Sequence, residues 1–265
     1  MKGNKRKFEF DELKMYYEIP FEVNDYITIY QPKIGQIMDF GDVRFYEGIQ
    51  PFLCNPTSYR LPLWDKGIDW NKIDDFDLFI MLYNNMDKEC VSLLFKDFDF
   101  SELFPVKDPE TGRKALSYVE FDSFGNIISE NEVINEETYL LMAEYIRTMF
   151  NQHPKVEKAK GKTTKQSIID EDRMNLEYQM KQNNGVKHSI LLPLISSMVN
   201  HPGFKYKKKE LVDVGIVEFM DSVQRIPVHE SAIALISGVY SGMIDTSKIN
   251  IAKETNWLRD LSESS

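Results

Sequence analysis

Apolar positions along this chain follow both a strand rhythm and a helix rhythm, and together they predict a mixed fold. Tyr16-Tyr17-Glu18-Ile19-Pro20 and Tyr26-Ile27-Thr28-Ile29-Tyr30 are aromatic and β-branched, with Asn24-Asp25 between them as a turn, so residues 16–30 read as extended. Pro20 would hold its strand at an edge or end it. Pro32 suits a first helical position, and Ile34, Ile37, Met38, Phe45, Ile49, Phe52 and Leu53 continue at helical spacing. Gly41 falls on the same face, as a kink or a point of close approach. Asn55-Pro56-Thr57 ends that helix, and Lys66-Gly67-Ile68-Asp69 is a second turn. Ile73, Phe76, Phe79, Ile80 and Tyr83 mark the next helix, with Asp74, Asp75 and Asp77 near its start, where acids complement the helix dipole.

Val91 to Phe100 mixes aliphatic and aromatic residues and reads as β-rich. Asp108-Pro109-Glu110-Thr111-Gly112 is a turn. Tyr118–Phe121 and Asn126–Ser129 read as a hairpin around Asp122-Ser123-Phe124-Gly125. Asn135 is placed to cap a helix whose apolar face is Tyr139, Met142, Ala143, Ile146, Met149 and Phe150. The pattern then breaks. Residues 151–166 offer one core residue, Val156, among Lys155, Lys158, Lys160, Lys162 and Lys165, and read as an exposed linker leading into a polar helix at 168–183. Beyond it lie a helix at Ile190–Val199, a stripe of Val212, Ile216, Phe219, Met220, Val223 and Ile226 that Pro227 should stop, and a third helix at Ile233–Met243. Trp257-Leu258 reads as a terminal anchor. The expected fold class is α+β: a mixed domain of helices and short antiparallel strands at 1–150, a lysine-rich linker and polar helix at 151–185, and a small all-helical domain at 186–265.

Composition narrows the function. A chain of 265 residues with 42% hydrophobic and 12% aromatic residues has material for a substantial core. A net charge of −10 argues against generic binding to nucleic acid, which calls for a basic face. The local exceptions, Lys155–Lys165 and Lys205-Tyr206-Lys207-Lys208-Lys209, read first as solvated surface and next as contacts to an acidic protein. The basic start Met1–Lys7 runs into Phe8-Glu9-Phe10-Asp11-Glu12 rather than an apolar stretch, so no signal peptide is expected. No window approaches the roughly 18 apolar residues of a membrane span, and a cytoplasmic protein is expected.

Chemistry is hard to find. No phosphate loop, dinucleotide fingerprint, zinc-protease, hydrolase or kinase signature occurs. Cys54 and Cys90 lie in apolar surroundings and read as reduced core thiols. His153, His188, His201 and His229 never fall at helical spacing from one another and read as turn or surface residues. Asp74/Asp75/Asp77 and Asp97/Asp99 are candidates for a carboxylate or cation site, and solvation is the plainer reading. Neither cofactor nor metal is expected. Asp221 and Arg225, four apart on one helix, either pair across a turn or hold a partner.

Several segments resemble a family of proteins encoded in the tail modules of tailed phages. In the N-terminal half these are Ile29-Tyr30-Gln31-Pro32-Lys33-Ile34-Gly35, Phe40-Gly41 and Gly67-Ile68-Asp69. In the C-terminal half they are Asn200-His201-Pro202-Gly203-Phe204, Phe219-Met220-Asp221-Ser222-Val223-Gln224-Arg225-Ile226 and Tyr240-Ser241-Gly242-Met243-Ile244-Asp245. More distantly they resemble tail assembly chaperones and baseplate hub assembly factors. The resemblance implies a non-enzymatic helper in the host cytoplasm that binds another tail protein, such as the tape-measure protein or the baseplate hub. Within the resembling segments, Tyr30, Gly35, Phe204, Asp221 and Arg225 are the candidate partner-binding residues. Two other readings stand beside it: a structural baseplate or tail-tip component of the virion, and an enzyme with an unrecognised carboxylate site.

Overall fold

A computed structural model describes residues 10–259, with the exception of Gly185 and Asp245. The basic start Met1–Lys7 and the last residue of the Tyr240–Asp245 segment lie outside the described residues. The fold is α+β, with two small antiparallel sheets and a helical C-terminal region.

The first described helix, α1 (Glu12–Tyr16), is capped by Asp11, whose carboxylate accepts from the N–H groups of Leu13 and Lys14 at 3.1 Å each. Tyr16 and Tyr17 therefore close a helix instead of opening a strand, because the cap satisfies the local backbone before any sheet partner is reached. Extended pairing is confined to β1 (Phe21–Glu22) and β2 (Thr28–Ile29), joined through Asn24, whose side-chain oxygen accepts from Tyr26 and Ile27 at 3.0 and 2.9 Å.

The single helix expected over 32–53 is three: α2 (Ile34–Phe40), α3 (Asp42–Gly48) and α4 (Gln50–Leu53). Gly41 breaks the first junction with φ of +93°, a conformation that costs other residues dearly. Pro51, which has no N–H to donate, sits in the first turn of α4. Pro32 stays outside the helix, where its carbonyl accepts from Ile216 at 3.1 Å. After the Asn55 turn come α5 (Arg60–Asp65), which the apolar spacing did not announce, and α6 (Asp75–Leu82). The segment read as β-rich at 91–100 is instead α7 (Lys88–Phe95). Asp87 caps it, and Cys90, Val91, Leu94 and Phe95 fall on one buried face, a helical spacing that outweighs the strand propensity of the individual residues.

The larger sheet follows: β3 (Phe104–Lys107), β4 (Lys114–Phe121) and β5 (Ile127–Asn135), in that order and antiparallel. The expected hairpin turn lies at its tip, with Gly125 at φ of +84°. Asn135 caps α8 (Glu136–Met149) by accepting from Thr138 at 2.9 Å. Then come α9 (Lys162–Gln182), α10 (Leu191–Asn200), α11 (Ile216–Tyr240) and α12 (Ile251–Glu254). Helix α11 runs straight through Pro227, contrary to the expected stop. The proline forfeits one backbone bond, and the helix continues on the bonds of the turns on either side.

One large apolar cluster joins residues on both sides of the 151–185 segment: Ile34, Phe45, Phe79, Tyr139 and Phe150 share it with Leu191, Ile216 and Phe219. The backbone also crosses directly, through Ile34 N–H to the Val214 carbonyl at 3.0 Å. A smaller cluster of Cys54, Leu63, Trp70, Leu78 and Ile169 seats α9. The segment read as a linker lies along the surface, largely exposed and without regular secondary structure before α9. Asn55 donates to the Lys155 carbonyl at 3.0 Å, Asn71 donates to the Ala159 carbonyl at 2.7 Å, and Arg60 grips Asp172 on α9 with two bonds of 2.5 and 2.7 Å.

Candidate partner-binding site

The Asn200–Phe204 turn and the first half of α11 form the walls of one cleft. The imidazole of His201 organises the turn. Its Nδ1 accepts from the Gly203 N–H at 3.0 Å, so its Nε2 carries the proton that meets Glu230 on α11 at 2.7 Å. This double engagement turns Phe204 against Phe219, ring centroids 6.4 Å apart. The neighbouring Tyr206 hydroxyl donates to Glu218, and Lys205 joins the same carboxylate at 2.9 Å. Burial pulls the Glu218 carboxyl upward, but the bonds from Tyr206 and Lys205 outweigh it and hold the group below its ordinary range. Bonding to Glu218 also raises Lys205.

One turn along α11, Arg225 meets Asp221 at 3.2 Å. The expected pair across a turn is present, and the guanidinium does more. It also donates to the Trp257 carbonyl at 3.1 Å, which ties the segment after α12 to α11. The Trp257 ring stands edge-on to His229 at 4.8 Å between centroids. Together Tyr16, Phe204, Asp221, Arg225, Ile226 and Trp257 enclose a cleft of about 360 Å³. Burial, followed by the charges of Asp221 and Glu218, raises the Tyr16 hydroxyl.

Three of the five candidate residues, Phe204, Asp221 and Arg225, therefore meet in one place. The other two do not. Tyr30 lies beyond β2, with its N–H bonded to the Leu94 carbonyl at 2.7 Å and the Lys96 ammonium over its ring. Gly35 lies inside α2, under the Glu210–Asp213 turn. A Cβ there would stand 2.7 Å from the Val212 carbonyl oxygen, so the residue is glycine because the backbone passes close. Tyr16 and His229 line the cleft without any sequence pattern that marks them. Trp257 carried a signal, an isolated aromatic on a polar tail.

The carboxylate clusters have separate occupations. Asp74 caps α6 by accepting from Asp77 at 2.7 Å, Asp75 meets Arg147 at 3.2 Å, and Asp77 pairs with Lys114. Asp99 is held by Lys88 and by the Ser101 hydroxyl at 2.7 Å, and caps the 3-10 turn Phe100–Glu102 where a strand was expected. Bonding to Lys88 is the main cause that brings Asp99 down to about 2. Among the described residues no three His, Cys, Asp or Glu side chains are grouped to hold a metal ion, and no helix is long and apolar enough to cross a membrane.

Large apolar side chains are also left uncovered. Along the last two turns of α11, Ile233 and Tyr240 are 51% and 88% exposed, with Ile236 at 37% between them, and Met243 just beyond is 86% exposed. Positions 233, 236 and 240 recur at one helical face. No family model matches this chain, and no curated protein or solved structure is found similar to it.

Proposed function

We propose that this chain is a non-enzymatic assembly protein that binds another polypeptide, and that the polypeptide is a phage tail protein such as the tape-measure protein or the baseplate hub. The observation that carries the binding role is the uncovered face of α11: Ile233, Ile236 and Tyr240 in line, continued by Met243. A contiguous apolar face on a helix is costly to leave in water and is suited to receive an amphipathic segment. The adjacent cleft, with Phe204, Tyr16 and Trp257 as aromatic walls and Arg225 at its edge, has the residue types that dominate protein interfaces. The resemblance to tail-module proteins supplies the class of client. Host cytoplasm is the corresponding location.

Co-expression with a phage tape-measure protein tests this reading. The client should become soluble and co-purify with this chain. An insoluble client and no complex would count against it.

A second reading, a structural component of the baseplate or tail tip, draws on the β4–β5 hairpin. Phe124 is 88% exposed and Ile128 66% exposed at its tip, as would suit a permanent contact in an assembly. Stoichiometric amounts of the chain in purified virions would favour this reading, whereas scarcity in virions and abundance in infected cells would favour the helper.

A further inference from the structure

The cleft beside Tyr30 is built for positive charge. It encloses about 400 Å³ between Tyr26, Tyr30, Phe98 and Tyr118. The rings of Tyr26 and Tyr118 meet edge-on at 5.9 Å. Aromatic faces attract cations through the ring quadrupole, most strongly where water is partly displaced. The rim is acidic, with Asp97, Asp99 and Glu102. Asp99 is committed to Lys88 and Ser101. Among the described residues no cation forms an ion pair with Asp97 or Glu102, although Glu102 and Asp99 both bear on the Tyr118 hydroxyl, which burial first and then these two charges raise.

The cleft already holds one cation. Lys96 ends α7 with φ of +51°, where glycine is the ordinary residue. Its ammonium lies 3.5 Å from the centroid of the Tyr30 ring. Lys96 has no carboxylate partner among the described residues, so the aromatic face is its principal contact.

We infer that this cleft is a seat for a lysine or arginine side chain of the bound polypeptide, and that Lys96 is its internal occupant in the free chain. The inference rests on the reading of the chain as a polypeptide-binding protein. Charge complementarity selects the occupant: three carboxylates on the rim, Asp97 among them without an ion pair among the described residues, and a net charge of −10 favour a basic segment. Binding then exchanges the Lys96 ammonium for the partner's cation on Tyr30, and Lys96 swings into solvent.

The test uses the full-length protein and an acetylated, amidated Gly-Lys-Arg-Lys-Gly peptide at low salt, followed by the ring NMR signals of Tyr26, Tyr30 and Tyr118. The peptide should shift these signals, and the same peptide with norleucine at its three basic positions should not. Lys96→Met removes the internal competitor and should tighten binding several-fold, whereas Lys181→Met, which removes the same charge from α9, should leave it unchanged. Asp97→Asn with Glu102→Gln should weaken binding threefold or more. Lys96, Asp97 and Glu102 are exposed, so folding is not at stake. Equal binding of the norleucine peptide, or no tightening in Lys96→Met, overturns the inference. Peptide binding without rescue of the tail client would sink the proposed client and leave the seat standing. Rescue without peptide binding would do the reverse.

Discussion

Asp42, at the start of α3, caps α10 from across the molecule: its Oδ2 accepts from the Leu191 N–H at 2.8 Å. The same oxygen accepts from the Ile190 N–H at 2.6 Å and the Ser189 hydroxyl at 2.7 Å. Burial raises the carboxyl, but these bonds prevail and lower it. A carboxylate with a depressed folded pKa contributes stability above its unfolded value, near pH ~4, and loses it as pH falls through the folded value. Asp42→Ala should therefore cost about 1 kcal/mol at pH 7, as expected for a lost cap. Asp42→Asn should retain part of that stability and flatten the acid limb. Urea unfolding between pH 3 and 7 reads both effects.

Gly35 tests the close approach of α2 to the chain before α11. Gly35→Ala forces a Cβ toward the Val212 carbonyl and the Val212 side chain at 3.1 Å. Overpacking of this kind costs about 1–3 kcal/mol. A thermal melt of the variant that matched the parent would show that the backbone gives way without cost.

Arg147 is a buried cation in α8. It donates to the carbonyls of Phe52 and Cys54 at 3.0 and 2.6 Å, and to Asp75 at 3.2 Å. These bonds hold the C-terminal end of α4, whose last carbonyls have no helical partner. Arg147→Met keeps the bulk but orphans both carbonyls and leaves Asp75 uncompensated. The loss should be about 3 kcal/mol in chemical denaturation.

Cys54 and Cys90 are both buried and free, and burial is the first cause that pushes each thiol up to about 12. Cys90 also donates to the Phe45 carbonyl at 3.1 Å. Native protein should leave both thiols unreacted with a thiol-specific disulfide reagent at pH 8, and both should react once the chain is unfolded. Prompt native labelling would mean that one of these cores opens readily.

The uncovered face of α11 separates stability from binding. Ile236→Asp and Tyr240→Asp together should change folding stability by less than about 1 kcal/mol, since exposed positions carry little of it. The pair should abolish co-purification of a polypeptide client. A complex that survives these changes would move the binding surface elsewhere.

Much of the architecture was legible in the residues. Asp74 and Asn135 announce the starts of α6 and α8, and the Asp122–Gly125 turn announces the β4–β5 hairpin, because caps and turns are satisfied by near neighbours in the chain. The amphipathic spacing of α8 and of the first half of α11 needs no partner to be recognised. By contrast, the strand propensity of Val91–Phe100 hides a helix whose decisive spacing begins earlier, at the Asp87 cap and Cys90. Pro227 does not stop α11 because the remaining bonds of a 25-residue helix outweigh the roughly 3 kcal/mol an internal proline costs.

The candidate cleft divides in the same way. That Asp221 and Arg225 share a helix face follows from their spacing alone. That Arg225 also holds the Trp257 carbonyl, that Tyr16 and Trp257 complete the cleft around Phe204, and that Lys96 lies over Tyr30 depend on contacts between segments far apart in the chain. The sequence by itself determined the α+β class, the starts of helices such as α6, α8 and α10, and the hairpin, which are set by bonds and spacings within a few residues. Only the tertiary structure decided which faces were covered and which charges were neutralised, because burial and pairing are properties of neighbours that the chain brings together on folding.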